Sequence, residues 1–226
     1  MKILLPKSII KYKRLIKDYL FDKSSFKKNF NQLKYEKSLF KKLKINYVPP
    51  VIALTITSLC NLRCKNCLYL LKNKDKFSHS EKDFLKVDDF TFILDKYHLQ
   101  KAQVIFLTGG EPLLHPQIDI LINKSYENNL VPKISTNGIL LEEKIDLIKE
   151  INYLNISVDS YNYESYSQIR GGNRKQYELL LKGLELLKKR KIFFSISFVL
   201  SKENIRYWKE MIKFASNYKP NFIYFH

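Results

Sequence analysis

Residues Thr55-Ile-Thr-Ser-Leu-Cys60-Asn-Leu-Arg-Cys64-Lys-Asn-Cys67-Leu-Tyr69 lead from a β-branched apolar run straight into a CxxxCxxC loop, and that loop holds every cysteine of the chain. Iron-sulfur clusters are held by cysteine thiolates, and a four-iron cluster normally uses four of them. Three ligands leave one iron open. An open coordination position separates a metal site that does chemistry from one that only supports a fold, as zinc sites illustrate. On so tight a loop, successive sulfurs can point at three different irons of one cubane. Two alternatives stand beside the cluster. One is a zinc ion completed by His79 or His115, although zinc motifs usually come as two CxxC-like pairs or a CxxC with a distant HxxxH. The other is a set of inert buried thiols.

Working outward from this loop, the chain alternates short β-branched apolar runs with longer helical patterns. The strands expected are 51–58, 103–107, 133–135, 154–158, 193–200 and 222–225, with helices over 89–98, 116–128, 142–151, 175–189 and 203–217. Asp88 is the expected cap of the first helix, and Pro116 suits the first turn of the second. Strict alternation implies parallel strands joined by right-handed crossovers, hence an α/β barrel or an open α/β sheet. The polar residues then fall into a pattern. Cys60 follows the first strand, Thr108-Gly-Gly-Glu-Pro112 the second, Thr136-Asn-Gly138 the third and Asp159-Ser160 the fourth. In parallel α/β folds the carboxyl ends of the strands share one face, where ligands and catalytic groups collect.

Composition bounds the rest. A chain of 226 residues with 45% apolar residues suits one substantial packed domain with a short extension. Three clustered cysteines make a poor disulfide framework, so a reducing compartment and a cytoplasmic location are expected. The apolar start before Lys7 is too short for a secretory signal, and no stretch approaches a membrane span. Of the formal charge of +18, residues 1–50 carry 14 Lys or Arg against 3 acids, 14 − 3 = +11. In this basic extension Ile9, Ile10, Tyr12, Leu15, Ile16, Tyr19 and Leu20 recur at helical spacing, which predicts an amphipathic helix that packs on the main domain. An anionic membrane surface or an acidic partner is the alternative dock. The excess is nearly all Lys, while bidentate phosphate recognition favours Arg. A solvated basic face is therefore expected ahead of a nucleic-acid partner, and RNA modification is the reading such a partner would carry. Tyr47-Val-Pro-Pro50 punctuates the chain before residues 51–226.

Cys60-Asn-Leu-Arg-Cys64-Lys-Asn-Cys67, followed in order by Thr108-Gly-Gly-Glu-Pro-Leu113, Ser135-Thr-Asn-Gly138 and Ile156-Ser-Val-Asp159, resembles the radical S-adenosylmethionine (radical SAM) superfamily over residues 51–226. The resemblance implies a partial (βα)6 TIM-like barrel, splayed enough to admit large substrates, behind the basic helical N-terminal extension. It implies a [4Fe-4S] cluster on Cys60, Cys64 and Cys67, and S-adenosylmethionine chelating the fourth iron. A low-potential donor would supply the electron that cleaves the sulfonium, and the resulting 5′-deoxyadenosyl radical would take hydrogen from a peptide or small biosynthetic substrate. The segment Gly109, Gly110 and Glu111 would face the methionine ammonium. Ser135 and Asn137 would bond its carboxylate or the ribose, or simply form a turn. Ser157 and Asp159 share one strand face by their period of two, although Asp159 could cap the next helix. Arg170 corresponds to an arginine that reaches the cofactor carboxylate, or is a surface arginine. Two departures stand out. Asn66 occupies a place often aromatic in the family, with Tyr69 a possible substitute at the adenine, and the three cysteines leave no thiolate for an auxiliary cluster. A minimal member or a fragment is expected, and a degenerate, non-catalytic metal-binding interaction module is the non-enzyme alternative.

Overall fold

The computed structural model describes residues 48–67, 83–96 and 99–226. The basic segment with its expected amphipathic helix, and also Tyr69 and His79, lie outside the described residues. Six strands form one sheet: β1 (Val51–Thr57), β2 (Val104–Gly109), β3 (Val131–Thr136), β4 (Tyr153–Ser157), β5 (Phe194–Phe198) and β6 (Phe222–Phe225). Their order is β1-β2-β3-β4-β5-β6, and every neighbouring pair is parallel. Among the described residues β1 and β6 remain the sheet edges, so the sheet curves as an open α/β barrel of six units.

Side-chain alternation explains which face is which. Ile105, Leu107, Ile134, Leu154, Ile156, Phe194 and Ile196 are buried in the core with helix residues such as Phe90, Leu121, Leu184 and Met211. The opposite face carries Phe106, Lys133 and Ser135, then Tyr153, Asn155 and Ser157, then Ser195 and Ser197. Strand β3 extends three residues beyond the expected 133–135, to Val131 and Thr136, with Pro132 inside it. Proline removes one ladder donor, which is why its start did not read as strand.

The helices are α1 (Val87–Lys96), α2 (Ile118–Glu127), α3 (Ile145–Ile148), α4 (Tyr163–Arg170), α5 (Arg174–Lys189) and α6 (Trp208–Asn217). Several expectations are corrected here. Asp88 lies inside the first turn of α1 rather than capping it, where its charge complements the helix dipole. Pro116 precedes α2; it is Pro112 that heads a 3-10 turn, Pro112–Leu114, capped by the Glu111 side chain. The helix expected over 142–151 contracts to α3. Helix α4 was not expected at all, yet Asn162 caps its start and Gly171, at φ 67°, closes its end.

Candidate active site

The cysteine loop leaves β1 at the carboxyl edge of the sheet and is braced from three sides. From β2, the Gly110 N–H bonds the Thr57 carbonyl (2.9 Å) and the Glu111 N–H bonds the Leu59 carbonyl (2.7 Å). A Cβ on Gly109 or Gly110 would sit 2.0 Å from the carbonyl oxygen of Thr57 or Leu59 respectively. The two glycines therefore let the β2 end press backbone to backbone against the start of the cysteine loop. From β3, Asn137 Nδ2 donates to Asn61 Oδ1 (2.6 Å). From α4 and α5, the Lys65 N–H bonds the Ile169 carbonyl (2.8 Å), and Gln176 Nε2 bonds the Asn61 carbonyl (2.8 Å).

Glu111 is the buried hub of this arrangement. Its Oε1 accepts from the Leu113 N–H (3.1 Å) and the Thr136 hydroxyl (2.6 Å), and its Oε2 accepts from the Asn137 N–H (2.7 Å). Burial pushes its carboxyl up, against the pull of those hydrogen bonds. A carboxylate oxygen has room for two donors, so Oε2 keeps one acceptor position. Asn137 also accepts from the Ile139 N–H (3.0 Å) through Oδ1, so its turn role and its tie to the cysteine loop coexist.

Asp159 departs from both local readings of its place, and Arg170 from the surface reading. Arg170 is buried, not a surface arginine, and its Nη1 donates to Asp159 Oδ2 at 2.8 Å. Asp159 caps no helix and does not share the strand face of Ser157. At φ 58° the backbone has left the strand, and Asp159 Oδ1 takes the Val199 N–H (2.7 Å). Ser157 instead joins the open face, 3.3 Å from Ser135 and 3.5 Å from Ser197, while Asn155 Nδ2 bridges Ser135 (3.0 Å) and Ser197 (2.8 Å). Below this polar row Lys133 Nζ lies 3.9 Å from the centre of the Tyr153 ring and 5.4 Å from that of Phe106.

The three cysteines are free thiols, each partly exposed, and Cys60 and Cys64 pack on the core. Burial pushes the Cys60 thiol up and the Cys64 thiol up to about 11. Among the described residues, which exclude His79, the donor set fits a cluster better than one zinc ion. Among the described residues no three His, Cys, Asp or Glu side chains close on one point as a single ion requires, whereas a cubane takes its thiolates at separate corners. His115 is not available as a zinc ligand. Its Nε2 bonds the Leu85 carbonyl (2.9 Å) and its Nδ1 takes the Gln117 N–H (3.1 Å). Two buried donors beside the loop, the Tyr166 hydroxyl and Arg170 Nε, have no partner among the described residues.

The family model described as the Radical SAM superfamily matches residues 54–215. The chain belongs to the radical SAM superfamily. Among its relatives, GTP 3′,8-cyclase of Synechocystis is 27% identical over 172 residues, covering 74% of this chain and 51% of that protein. The S-adenosyl-L-methionine-dependent tRNA 4-demethylwyosine synthase of Methanocaldococcus jannaschii is 37% identical over 98 residues, covering 42% of this chain and 30% of that one. Among solved structures, Streptococcus suis SuiB bound to S-adenosylmethionine superposes with a TM-score of 0.67 at 16% identity, over 97% of this chain and 50% of that chain. This radical SAM chain thus spans about half the length of the first of these relatives, and the likeness to SuiB shows the fold.

The sequence alone gives no role to Asn61, Tyr166, Gln176 or Asn204. The signal for Tyr166 was present in the spacing Tyr163, Tyr166, Ile169, Arg170 between an Asn cap and a glycine stop. The others act by bonding across the strand ends, which no local pattern announces.

Proposed function

We propose that this protein binds a [4Fe-4S] cluster through Cys60, Cys64 and Cys67 and uses it, with S-adenosylmethionine, to start radical chemistry on a peptide or small biosynthetic substrate. The observation that carries this reading is the three-thiol loop clamped by the β2, β3 and α5 ends within a radical SAM family match. Bound there, the cluster and cofactor would together supply one-electron cleavage and hydrogen-abstraction chemistry. A low-potential one-electron donor and a reducing, cytoplasmic setting are part of the proposal.

The protein's own residues would do the positioning. Gly109, Gly110 and Glu111 present a backbone turn beside the cysteine loop, and Glu111 Oε2 keeps an acceptor position for the methionine ammonium. Asn137 holds the loop while its neighbours line the cofactor's approach. Ser135 and Ser157 offer hydroxyls on the open face to the ribose or the substrate. Asp159 holds Arg170 beside Cys64, so that a fixed positive charge stands next to the thiolates and the cofactor carboxylate. The open face with Lys133, Tyr153 and Phe106 is the surface a substrate would meet.

Anaerobic reconstitution tests the reading. The expected product is a brown protein with about four irons and four sulfides per chain that cleaves S-adenosylmethionine to 5′-deoxyadenosine when reduced with dithionite. Cys64→Ala is expected to lose cluster and cleavage together. A colourless protein holding stoichiometric zinc, or a Cys64→Ala variant that keeps either property, would overturn it.

A further inference from the structure

Helix α4 presents one face to the cysteine loop. Tyr166, Ile169 and Arg170 stand three and four residues apart and so share that face. The Lys65 N–H, next to Cys64, bonds the Ile169 carbonyl at 2.8 Å. The chain then turns through Gly171, where a Cβ would lie 2.6 Å from the Arg63 carbonyl oxygen. At Gly172 a Cβ would lie 2.3 Å from Tyr166 Cε1, 3.0 Å from its Cζ and 3.1 Å from Leu62 Cδ2. One edge of the Tyr166 ring, out to its Cζ, and the Leu62 side chain of the CxxxCxxC loop thus close on the same point at Gly172.

Tyr166 is 0% exposed and its hydroxyl has no hydrogen-bond partner among the described residues. Phenylalanine would fill the same space without leaving a desolvated hydroxyl unsatisfied. A tyrosine at such a position calls for an acceptor. Among the described residues neither an oxygen nor a cysteine sulfur takes the proton of this hydroxyl, so the acceptor it calls for is a group that the loop binds. Burial, opposed by the Arg170 charge and reinforced by Cys64 and Cys60, holds the Tyr166 hydroxyl above the ordinary phenol range, so it stays a proton donor.

We propose that the Tyr166 hydroxyl donates a hydrogen bond to the sulfur of the cluster held by Cys60, Cys64 and Cys67, and so raises that cluster's reduction potential. The proposal rests on the cluster reading given above. Its sign follows from charge. One-electron reduction makes the sulfurs more negative, a donor stabilises that state more than the oxidised one, and hydrogen bonds to sulfur are among the factors that set cluster potentials. Tyr166 is a positioning and tuning residue here, and no proton leaves it.

The test compares the full-length reconstituted protein with Tyr166→Phe, which keeps the ring and its packing. Iron and sulfide are assayed in both, thermal melts check the fold, and the cluster is titrated with dithionite while its reduced signal is followed by electron paramagnetic resonance. The variant is expected to keep its iron and its melting temperature, to titrate at a more negative potential, and to lose one deuterium-exchangeable proton coupling in pulsed electron-nuclear double resonance. An unchanged potential with the coupling retained overturns the proposal, as does a variant that cannot hold the cluster, since Tyr166 would then be structural. A wild-type protein that takes up no cluster removes the underlying reading as well, and the iron assay alone separates that failure from the other two.

Discussion

A buried carboxylate with three donors on it is a structural device before it is a catalytic one. Glu111 joins the β2 end to Thr136 and Asn137 at the β3 end, and Asn137 in turn holds Asn61 of the cysteine loop. Glu111→Ala would leave two N–H groups and a hydroxyl without acceptors, so a loss of about 3 kcal/mol is expected in urea unfolding. A loss below about 1 kcal/mol would mean water replaces the carboxylate without penalty. Glu111→Gln keeps the shape and separates out the charge. Burial raises the Glu111 carboxyl above its ordinary 4.5 in the folded state, so between 4.5 and the raised value the folded chain holds more protons than the unfolded one. Wild-type stability relative to Glu111→Gln is therefore expected to increase as pH falls through that window toward 4.5. A difference that shrinks over the same range would reverse the sign of this argument.

At the scale of the element, the N-terminus of α5 does two jobs with neighbouring residues. Asn173 Oδ1 takes the Gln176 N–H and Gln176 Oε1 takes the Asn173 N–H, each at 2.9 Å, forming a capping box. Gln176 Nε2 then reaches the Asn61 carbonyl. Asn173→Ala is expected to cost the helix about 1 kcal/mol and leave the cluster alone. Gln176→Ala is expected to cost a similar amount and, in addition, to speed iron loss to a chelator. Equal iron loss in both variants would show that only helix stability matters. The same scale decides what could be read from the chain beforehand. Strand β6 matches its expected range because Phe222–Phe225 is a compact aromatic and β-branched run after Pro220. The site was legible wherever chemistry is concentrated in a short loop, as at Cys60 to Cys67 and Gly109 to Glu111. Helix α4 was not, because its buried stripe is tyrosine, isoleucine and arginine, so its apolar period is faint. Arg170 could not be read as buried, since its solvation is replaced by Asp159, eleven residues away, and only the crossover between β4 and β5 brings them together.

Across the whole molecule, the open sheet has no β6–β1 ladder among the described residues to lock its carboxyl ends, and Asp159 supplies part of that restraint. It accepts Arg170 from α4 and the N–H of Val199, the residue just past β5, while Asn204 Nδ2 ties the Asp159 carbonyl (3.3 Å) to the Val199 carbonyl (2.8 Å). The Asp159 and Arg170 side chains are 7% and 10% exposed, so solvent screens the pair weakly. Removing one partner of a buried pair typically costs about 3–5 kcal/mol because the other charge is left without compensation. Asp159→Ala is expected to fall in that range by urea unfolding, and Asp159→Asn to cost less, since asparagine keeps an acceptor for Val199 and tolerates the left-handed backbone at φ 58°. The double variant Asp159→Ala with Arg170→Met tests the cause. If the unpaired guanidinium is what destabilises Asp159→Ala, replacing it with an apolar side chain recovers most of the loss, and the double variant is more stable than the single. If the double variant is instead as unstable as the sum of the two single changes, the backbone ties at Val199 and Asn204, and not the ion pair, hold the β4 and β5 ends together.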